Sequence, residues 1–502
     1  MTRRAHAAPT RRAAVAIVLA AGLGTRMRSR VPKVLHPLCG RPMLAYVLDA
    51  AREATGGRPL VVYSPPTDEV RSTFASVADF ALQDEPRGTG DALRAALAAL
   101  PDGVTEVAVL SGDVPLLDAT LLTELLDARL ADGAVMSLVT FEAFDPDRLG
   151  RVVRVSEDSD RVARIVEAKD ATDEELEIGE VNAGVYAFDA AWLRRRIGDL
   201  TPSAATGELY LTQLVELARE DHRPVTAFLV EEDGTLAGIN DRVDLSDAVA
   251  LLADRIRVGH MRDGVTMDDP ATVYVDHGVE LGTDVVLEPN VILRGRTRIG
   301  AGTRIGAGSR IVDSTVGEDC EIVSSVLEEA VVEDRVRIGP FAHLRPGASI
   351  GPDARLGNFA EVKNSRIGPG VQQHHFSYIG DADVGERTNI GAGTVTANYD
   401  GTRKHRTTIG PGALIGSDTM LVAPVTVGAG ARTGAGAVVT HDVPPGMVAV
   451  GVPARLRAPR EVEPDAGAGP APAAPEPDAA AARPLPAEGD PTDQPEETGP
   501  GT

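Results

Sequence analysis

Large aliphatic residues recur at every sixth position through most of the second half of the chain. The spacing is unbroken from Val275 to Ile311, resumes from Val326 to Val362 and returns from Ile409 to Val427. The aliphatic positions are Val275, Leu281, Leu287, Leu293, Ile299, Ile305, Ile311, Val326, Val332, Ile338, Leu344, Ile350, Leu356, Val362, Ile409, Ile415, Leu421 and Val427. A period of six is typical neither of an α-helix nor of a simple amphipathic strand. A coil with three equal sides produces it, with one hexad on each side, so the repeat predicts a β-helix.

A second set of positions supports this interpretation. Small or β-branched residues often stand four positions after the aliphatic residue, where they would fill the rest of the coil interior. They are Val279, Val285, Thr303, Ser309, Ala342, Ala348, Ala354 and Ala360. The alternative, a run of glycine-rich loops, does not explain so many unbroken steps. Three-sided hexad coils are left-handed, against the usual right-handed crossover, so we expect a left-handed parallel β-helix from which the insertion Ala397–Arg406 leaves as a loop.

The first half of the chain has a different pattern, in which short β-branched segments alternate with helical ones. The predicted strands are Val15–Leu19, Leu60–Tyr63, Val107–Leu110 and Val135–Val139, and the clearest helices are Pro42–Ala54 and Ala92–Leu100. Such alternation is typical of a mostly parallel sheet with helices on its faces. In sheets of this kind, ligands bind at the carboxyl ends of the strands.

These patterns divide the chain into two folded domains. We expect an α/β domain at 15–240, a helical arm at 241–262 that joins the domains, and the β-helix at 263–457. The first segment, 1–14, is rich in arginine, and the last, 458–502, is mostly Ala, Pro and acidic residues without an aromatic side chain. Neither segment can bury enough surface to fold, so both are predicted to be disordered.

The composition excludes several classes of function. The formal net charge of −24 disfavours nucleic acid and anionic membranes as partners. Cys39 and Cys320 are the only cysteines, too few for a disulfide framework or a zinc cluster. No stretch reaches the ~18 apolar residues of a bilayer span. Val15–Ala21 leads directly into a glycine-containing loop, so we interpret it as a buried strand rather than an export signal and expect a cytoplasmic protein.

The segment Leu19–Met27 follows the first predicted strand and contains two glycines. Gly22 and Gly24 allow the backbone to approach an anion, and consecutive N–H groups can bind phosphate. Arg26 and Lys33 add positive charge. The Gly-Lys-Ser/Thr end of a Walker A loop is absent, as is a dinucleotide GxGxxG. We interpret the segment as a phosphate-binding loop; the alternative is an ordinary glycine-rich turn.

A candidate metal ligand lies after another predicted strand. Ser111-Gly112-Asp113 follows Val107–Leu110 directly. A carboxylate at a strand end, next to a glycine that leaves room, suits Mg²⁺ bound together with phosphates. Taken alone, Asp113 is equally compatible with a helix N-cap.

Together these motifs resemble the sugar nucleotidyltransferases. LAAGLGTRM followed by VPKVLH resembles the wider family, and RGTGDA, SGDVPLL, LGRVVR, IVEAKDAT, VNAGVYAF and GINDR extend the resemblance to the bacterial bifunctional N-acetylglucosamine-1-phosphate uridylyltransferases/glucosamine-1-phosphate N-acetyltransferases. The resemblance covers roughly residues 15–457. It implies a Rossmann-like α/β nucleotidyltransferase domain followed by a β-helix acetyltransferase domain. It also implies two reactions: acetylation of glucosamine-1-phosphate by acetyl-CoA, then Mg²⁺-dependent transfer of UMP from UTP to N-acetylglucosamine-1-phosphate with release of pyrophosphate.

The resemblance implies a set of residues for the uridylyltransferase site. Those expected to bind UTP or UDP-N-acetylglucosamine are Leu19, Ala20, Ala21, Gly22, Lys33, Gln83, Gly88, Thr89, Ser111, Gly112, Asp113, Gly150, Glu167, Asn182 and Asn240. Arg26 and Lys33 would be catalytic by neutralising the triphosphate. Asp113 and Asn240 would hold Mg²⁺. Such a reaction depends mainly on positioning and charge neutralisation, which this set can supply.

Acetyl transfer to an amine needs a base and cations for the sugar phosphate. The repeat contains the pair His374-His375 close to Tyr378, and Arg345 and Lys363 lie on the same coil. A single histidine is more often structural than catalytic, so the hypothesis depends on the combination of these residues with Asn-Tyr-Asp-Gly in the insertion. Adjacent histidines on a strand point to opposite faces, and the spacing to Tyr378 favours His375.

For this second site the resemblance implies roles residue by residue. His375 would be the general base, oriented by Glu361. Residues expected at the sugar phosphate are Arg345, Lys363, Tyr378 and Asn389, with Asn398 beside them, and those expected to line the acetyl-CoA groove are Ala392, Asn398, Tyr399, Ser417 and Ala435. An arginine that often precedes the final Val-Pro of such chains is absent, so Arg432, Arg455 or Arg457 is expected to replace it at coenzyme A.

The resemblance also implies a homotrimer, with acetyl-CoA bound in a groove between chains and the loop Ala397–Arg406 reaching a neighbouring chain. The main alternative is a monofunctional hexose-1-phosphate nucleotidyltransferase with a non-catalytic β-helix. The His375–Tyr378 segment and the Asn-Tyr-Asp-Gly loop argue against it, because that reaction does not need them. A third reading, a non-enzymatic trimeric scaffold, leaves Arg26, Lys33 and Asp113 unexplained.

Overall fold

The structure is a computed structural model that describes residues 13–458, except 144, 145, 147, 148, 157, 158 and 205. The terminal segments predicted to be disordered, 1–14 and 458–502, therefore lie outside the described residues apart from 13, 14 and 458. Among the described helices, none combines the length and hydropathy that crossing a bilayer requires.

The first domain is built on a twisted sheet that confirms the predicted α/β class. Its central strands, in spatial order, are Val225–Val230, Met136–Glu142, Glu180–Asp189, Glu106–Ser111, Ala14–Leu19, Leu60–Tyr63 and Asp79–Leu82, and Arg151–Arg154 and Val162–Val166 extend it beside Glu180–Asp189. Glu180–Asp189 is antiparallel to both central neighbours, while the other pairs along this order are parallel. The predicted strands are present with equal or slightly longer bounds, except that Val135–Val139 is observed as Met136–Glu142.

Helices cover both faces of this sheet. The α-helices are Met43–Thr55, Asp68–Phe74, Thr89–Ala99, Ala119–Ala131, Asp173–Leu176, Ala190–Arg196, Leu214–Glu220 and Arg242–Arg262, and short 3-10 turns lie at Thr25–Met27, Lys33–Leu35, Pro65–Thr67, Ile197–Asp199, Leu211–Gln213 and Pro270–Thr272. Met43–Thr55 and Ala119–Ala131 pack into one core, and Thr89–Ala99 packs with Ala190–Arg196 into the other. Apolar side chains at helical spacing thus seal each face of the sheet.

The helix Arg242–Arg262 is more than the joining arm that its sequence predicted. Asp241 caps it by accepting hydrogen bonds from the N–H groups of Val243 and Asp244. Its buried Leu252 belongs to the core of the first domain, and Ile256 packs against the cores of both domains. The helix therefore completes the first domain as well as leading into the second.

The second domain is the predicted parallel β-helix, with three sheets as faces. Face 1 contains Thr266–Met267, Val286–Leu287, Arg304–Ile305, Glu321–Ile322, Arg337–Ile338, Arg355–Leu356, Gln372–Gln373, Asn389–Ile390, Leu414–Ile415, Arg432–Thr433, Val448–Val450 and the antiparallel end strand Arg455–Arg457. Face 2 contains Tyr274–Val275, Ile292–Arg294, Arg310–Val312, Val326–Glu328, His343–Leu344, Ala360–Lys363, Ser377–Gly380, Val395–Ala397, Met420–Val422 and Val438–Val439. Face 3 contains Glu280–Leu281, Arg298–Ile299, Thr315–Val316, Val331–Val332, Ser349–Ile350, Arg366–Ile367, Ala382–Val384, Thr407–Ile409 and Val425–Val427.

The interior of the β-helix follows the hexad pattern with one exception. The predicted inward aliphatic residues are buried or partly buried in the core of this domain, and so are the small residues predicted to accompany them. At Val326 the prediction is wrong, because Leu327 points inward there. Arg310 pairs with Val326 and Ile311 with Leu327, so this coil is shorter than three full hexads.

A small hairpin, Pro37–Leu38 with Arg41–Pro42, connects the nucleotide loop to the β-helix. The His277 N–H donates to the Cys39 carbonyl at 2.9 Å, and the Tyr46 ring meets the His277 ring edge-on at a centroid distance of 5.3 Å. A Cβ at Gly40 would lie 2.7 Å from the Asp276 carboxylate, so only glycine allows this contact. The first coil of the β-helix therefore packs close to the loop that carries Lys33.

Candidate active sites

The predicted phosphate-binding loop lies at the carboxyl edge of the parallel strands. The Ala20 N–H donates to the Val62 carbonyl and the Gly112 N–H donates to the Leu19 carbonyl, both at 2.9 Å. A Cβ at Gly112 would meet that same carbonyl at 2.9 Å, whereas a Cβ at Gly22 would meet nothing within 4 Å. The backbone at Gly22 is therefore open to a ligand, while Gly112 allows the two strand ends to come together.

Gly24 fixes the position of Lys33. Its φ of +58° lies in the left-handed region, and a Cβ there would lie 2.6 Å from the Cβ of Lys33. Glycine is thus required both by the backbone conformation and by the close approach of the lysine. The loop folds back so that Lys33 lies beside the backbone that is predicted to bind phosphate.

The two predicted cations contact the two predicted metal ligands. The Lys33 ammonium forms an ion pair with the Asp113 carboxylate, and Arg26 Nη2 donates to Asn240 Oδ1 at 2.9 Å. A Cβ at Gly238 would lie 3.8 Å from Asp113 Oδ1 and 4.0 Å from Asn240 Nδ2, so the two side chains flank this glycine. All four residues, widely separated in sequence, belong to one site.

The oxygen atoms of Asp113 and Asn240 suit Mg²⁺, which prefers such ligands. Within the described residues, His, Cys, Asp and Glu side chains form no cluster of three or more that could hold a metal ion. The protein thus offers two oxygen ligands at this point. That number fits an ion whose other ligands are phosphate and water.

The nucleotide base would lie beside Gln83. This side chain is buried, and its Nε2 donates to Asp91 Oδ2 at 2.9 Å and to the Gly88 carbonyl at 3.3 Å. Both bonds occupy the amide nitrogen, so the carboxamide oxygen is the atom that can accept from a base. Gly88 has φ +110°, and a Cβ there would lie 2.5 Å from the Leu209 carbonyl. The Thr89 hydroxyl accepts from the Leu211 N–H at 3.0 Å, which ties this loop to the segment beyond Leu209.

The predicted sugar-binding residues come together on the strands beside the loop. The Asn182 N–H donates to the Gly150 carbonyl at 2.9 Å, and a Cβ at Gly150 would lie 3.8 Å from Glu167 Oε2. Thr212 and Tyr186 join them, although the sequence did not point to either. The Thr212 hydroxyl donates to Glu167 Oε1 at 2.9 Å, and Asn182 Nδ2 donates to the Tyr186 hydroxyl at 2.6 Å. Asn182 and Tyr186 share one side of a strand, a spacing that could have revealed the tyrosine.

Glu167 is held at a cost to folding. Burial raises the pKa of its carboxyl, and the Thr212 hydroxyl opposes this shift. The folded state therefore favours the protonated carboxyl more than the unfolded state does. The contribution of this carboxyl to the free energy of unfolding is greatest below its pKa in the unfolded state. The free energy of unfolding then falls as the pH rises towards the higher pKa of the folded state.

Replacing Glu167 by glutamine is expected to raise the free energy of unfolding at neutral pH and to weaken binding of the sugar phosphate. The glutamine carries no charge to bury, so its advantage over wild type should grow with pH through the carboxyl range and vanish in acid. Urea unfolding at several pH values measures the first effect, and KM for N-acetylglucosamine-1-phosphate measures the second. The matched control is Glu174→Gln, at an exposed acidic position. A variant that is less stable than wild type at pH 8 would contradict this account.

On the β-helix, His374 and His375 lie at the corner between faces 1 and 2. The expectation that they alternate along a strand is wrong, because they connect Gln372–Gln373 to Ser377–Gly380 and both are exposed. His374 Nε2 lies 2.8 Å from Gln372 Oε1, on the face 1 side. His375 is the member adjacent to face 2, where the predicted phosphate-binding residues lie.

Face 2 carries a positively charged cluster. Glu361 pairs in register with Tyr378, and Lys363 with Gly380. A Cβ at Gly380 would lie 2.3 Å from the Tyr378 hydroxyl, so the tyrosine lies across this glycine. Arg345 Nη1 donates to Glu361 Oε1 at 2.8 Å. Within the described residues, Glu361 therefore pairs with Arg345 and not with His375, which it was expected to orient.

Lys404, in the insertion loop, is a member of this cluster that the sequence did not reveal. Its ammonium beside Lys363, with the Arg345 guanidinium as a further cause, lowers the pKa of Lys363. Three cations thus converge without a balancing acid for Lys363 or Lys404 within ion-pair distance in the described part of the chain. Such an arrangement is suited to a phosphate group.

The insertion loop is braced internally. Asp400 accepts from the N–H groups of Arg403 and Thr402 at 2.7 and 2.8 Å, and His405 Nε2 lies 2.7 Å from its other oxygen. The Arg403 N–H, followed by His405 and the Thr402 N–H, holds the pKa of Asp400 well below its usual range. These bonds fix the loop that presents Lys404.

Two of the predicted residues have unexpected positions. Asn398 is only 8% exposed and donates to Asp381 of its own chain, so its side chain braces the loop instead of reaching a neighbour. Tyr399 is 61% exposed and remains able to contact another molecule. Asn389 lies on face 1, away from Lys363 and Tyr378 on face 2. One chain therefore does not surround a ligand with all of these residues.

Three of the residues predicted to contact acetyl-CoA, Ala392, Ser417 and Ala435, stack along one corner. Gln372 pairs with Asn389 and Tyr378 with Val395, so His375 lies over Ala392. The same register continues through the next two coils and aligns Ala392 with Ser417 and Ser417 with Ala435. At the spacing of parallel strands, the line from His375 to Ala435 is about 15 Å long. It runs along the outside of the coil, as a groove for an extended ligand requires.

The end of this line is positively charged. Arg432 pairs in register with Val448, Val448 pairs with Arg457, and Val450 pairs with Arg455. Arg432, Arg455 and Arg457 are all exposed on face 1. Arg455 is level with Val450, whose side chain lies close to Gly434, the residue before Ala435.

Comparison with known proteins gives a consistent assignment. Residues 16–168 match the MobA-like NTP transferase domain, and residues 329–364 and 406–441 match the bacterial transferase hexapeptide repeat. Among solved structures, a CMP:2-keto-3-deoxy-manno-octonic acid synthetase complexed with CTP covers 48% of this chain and 99% of its own at 20% identity, but its TM-score of 0.38 is too low to carry an argument.

Two relatives match over nearly their full lengths. The bifunctional protein GlmU of Mycobacterium tuberculosis (strain ATCC 25177 / H37Ra) is 43% identical over 442 residues, which are 86% of this chain and 89% of the relative. That of Mycolicibacterium smegmatis is 45% identical over 445 residues, 87% of this chain and 92% of the relative. With the nucleotide loop and the histidine corner both in place, the chain belongs to the GlmU family of bifunctional proteins.

Proposed function

We propose that this chain makes UDP-N-acetylglucosamine in two steps, at two separate sites. The β-helix acetylates glucosamine-1-phosphate with acetyl-CoA, and the α/β domain transfers UMP from UTP to the resulting N-acetylglucosamine-1-phosphate. The main support is that two clusters of charged and polar side chains lie on different domains. One, at the nucleotide loop, contains Arg26, Lys33, Asp113 and Asn240. The other contains the cations of face 2, with His375 at the adjoining corner.

In the uridylyl step, the phosphate of the sugar attacks the α-phosphate of UTP and pyrophosphate leaves. Gln83 would accept from the uracil ring, and the open backbone at Gly22 would receive the phosphates. Lys33 and Arg26, which contact Asp113 and Asn240, would turn to the triphosphate. That exchange would free both oxygen ligands for Mg²⁺. The ion would supply charge neutralisation at the reacting phosphates.

Replacing Asp113 by alanine is expected to lower pyrophosphate release by at least about 100-fold while CoA release continues at the wild-type rate. The substitution removes a carboxylate of the nucleotide site and leaves the β-helix untouched. The measurement follows both products from the same preparation, and isothermal titration with Mg²⁺ and UTP should show weaker metal binding. Restoration of the full rate by a hundredfold excess of Mg²⁺ would show that Asp113 is only a weak outer contact.

In the acetyl step, the amine of glucosamine-1-phosphate attacks the thioester carbonyl of acetyl-CoA, the C–S bond breaks and coenzyme A leaves. His375 would take the proton that the amine loses, and Arg345, Lys363 and Lys404 would bind the sugar phosphate. Tyr378 would contact the sugar across Gly380. Acetyl-CoA would lie along the corner lined by Ala392, Ser417 and Ala435, with Arg455 near its anionic end.

We also propose that the enzyme works as a homotrimer. The described part of a single chain leaves the corner from His375 to Ala435 exposed without an opposing wall, and a ligand as long as acetyl-CoA needs one. Asn389 on face 1 and Lys363 on face 2 would then reach one ligand from different chains. The exposed Tyr399 of the insertion loop would help to close a neighbouring site.

Co-expression of His375→Ala subunits with Tyr399→Ala subunits tests this assembly. If the two residues serve one site from different chains, mixed trimers should regain part of the acetyl transfer that each variant lacks. The control is each variant expressed alone, measured at the same concentration. Mixed trimers that remain inactive, or a monomer in light scattering that acetylates at the full rate, would contradict the shared site.

The product is an activated amino sugar of the kind that bacterial cell-wall synthesis consumes. Its two donors, UTP and acetyl-CoA, are cytoplasmic metabolites, and the free thiols of Cys39 and Cys320 are compatible with a reducing compartment. We therefore propose a cytoplasmic role in the supply of cell-wall precursors.

A further inference from the structure

A cavity of about 600 Å³ lies at the edge of the first domain opposite the nucleotide loop. Its lining includes Val225, where the strand Val225–Val230 begins. That strand runs in the same direction as Glu106–Ser111, whose end at Ser111 borders the nucleotide loop. The start of the strand therefore faces away from the uridylyltransferase site. We name this cavity the distal arginine pocket.

Three arginines line the pocket: Arg161, Arg219 and Arg223. None of them has a carboxylate within 4.0 Å in the described part of the chain, and Arg219 Nη1 donates only to the Ala163 carbonyl at 3.2 Å. Of the two acids in the lining, Glu220 is already paired with Arg196 at 2.9 Å, which leaves Glu216. In a chain with a net charge of −24, three guanidinium groups that line one cavity without a carboxylate partner among the described residues are unusual.

The chemistry of this pocket favours a phosphorylated ligand. A guanidinium group presents its N–H donors in a plane that matches two oxygens of a phosphate. Within the described lining, three arginines outnumber two carboxylates, so an anion would bind more favourably than a cation. The volume falls within the range of small-molecule sites and leaves room for an organic group beside the phosphate.

The pocket and the sugar-binding residues are opposite ends of the same two elements. The strand Val162–Val166 runs from Arg161 to Glu167, and a continuous helical segment runs from Thr212 to Arg219. At the far end, these elements meet where the Thr212 hydroxyl donates to Glu167 Oε1. An anion that bridges Arg161 and Arg219 would relieve the repulsion between like charges and hold the two elements together.

We propose that the distal arginine pocket binds a phosphate-bearing metabolite and that this binding strengthens the sugar-phosphate subsite. The proposal that the pocket binds a phosphate-bearing metabolite rests only on the geometry of the pocket. The effect on the sugar-phosphate subsite rests on the proposed uridylyltransferase function, because it requires Glu167 to contact the sugar. The two parts are therefore tested separately.

The protein contains its own reporter for the binding test. Trp192 is the sole tryptophan of the chain and is only 2% exposed. Its indole Nε1 donates to Asp221 Oδ2 at 2.8 Å, and Asp221 immediately precedes His222 in the pocket lining. An anion in the pocket should change the surroundings of this indole and hence its fluorescence.

The binding test uses the full-length chain with Lys33→Ala, which weakens phosphate binding at the nucleotide loop. Pyrophosphate is titrated in one arm and AMP in another, with tryptophan fluorescence as the readout. A saturable change in either arm is expected, and Arg161→Gln with Arg223→Gln should raise its Kd at least about 10-fold. The matched control Arg195→Gln removes an exposed arginine outside the pocket and should leave Kd unchanged. Without a saturable change, or with equal Kd in all variants, the pocket is not a phosphate site.

The coupling test uses the chain with Lys33 intact and follows pyrophosphate release. AMP should lower KM for N-acetylglucosamine-1-phosphate about 5-fold and leave KM for UTP unchanged, and the Arg161→Gln, Arg223→Gln variant should lose this response. An unchanged KM in the presence of bound AMP would overturn the coupling. A wild-type chain that binds AMP but never releases pyrophosphate would instead contradict the proposed uridylyltransferase function. The proposal that the pocket binds a phosphate-bearing metabolite would still hold.

Discussion

Replacing His375 by alanine is expected to lower acetyl transfer by about 10²- to 10⁴-fold, the usual contribution of a general base. Uridylyl transfer from N-acetylglucosamine-1-phosphate should remain at the wild-type rate. The reason is geometric: His375 lies at an exposed corner of the β-helix, whereas the cations and oxygen ligands of the other site lie in the α/β domain. Coenzyme A release and pyrophosphate release from one preparation measure both effects.

His374 provides a matched control. It is the adjacent residue, it also lies at the exposed corner, and its ring is bonded to Gln372 on the face 1 side. Burial, followed by the nearby Arg355, lowers the pKa of His374. His374→Ala should therefore keep most of the acetyl transfer. Equal loss in the two single variants, or equal loss of both activities in a folded His375→Ala protein, would contradict the assignment of the base.

Cutting the chain after Asn240 is expected to destroy uridylyl transfer, whereas cutting it after Arg262 should preserve it. The sequence predicted that the first domain ends at 240. The structure shows that Leu252 completes the core of this domain, and burying one leucine contributes about 1.5–3 kcal/mol. The cut at 240 also removes Asp244, whose carboxylate accepts from the N–H of the predicted metal ligand Asn240 at 2.7 Å.

Circular dichroism melting and pyrophosphate release of the two fragments test this prediction. The longer fragment should melt cooperatively and retain activity within a few-fold of the full chain, and the shorter one should lose at least about 100-fold or fail to fold. Asp244→Asn in the full chain separates the causes, because it weakens the support of Asn240 without removing the helix. A 1–240 fragment with full activity would show that the helix only joins the domains.

Much of the fold follows from local pattern. The hexad predicts which residues point inward because each side of the coil repeats the same short-range geometry, and the prediction fails at Val326 only where a coil is shortened. The strands of the first domain are equally local, since each is a buried β-branched run. The packing of the helix Arg242–Arg262 into the core of the first domain could not be predicted from the sequence, because helical periodicity does not indicate which core the apolar face contacts.

The sites were predictable only where a residue belongs to a distinctive motif. Lys404 follows the Asn-Tyr-Asp-Gly motif of the insertion loop, and Thr212 lies in the turn Leu211–Gln213, but no motif pointed to either residue itself. The position of Asn398 was missed for a related reason, since its partner Asp381 lies on an earlier coil. Contacts between coils depend on register, which a residue pattern alone does not give.

The central claim is that one chain carries out both steps in a fixed order, and one incubation tests it. The full-length protein is given glucosamine-1-phosphate, acetyl-CoA, UTP and Mg²⁺, and coenzyme A, pyrophosphate and the mass of the sugar nucleotide are followed together. The account predicts that coenzyme A appears first, that pyrophosphate follows in equal amount, and that UDP-N-acetylglucosamine accumulates, while omission of acetyl-CoA stops both releases. Pyrophosphate formed at the same rate without acetyl-CoA, or the appearance of only one of the two products, would contradict it.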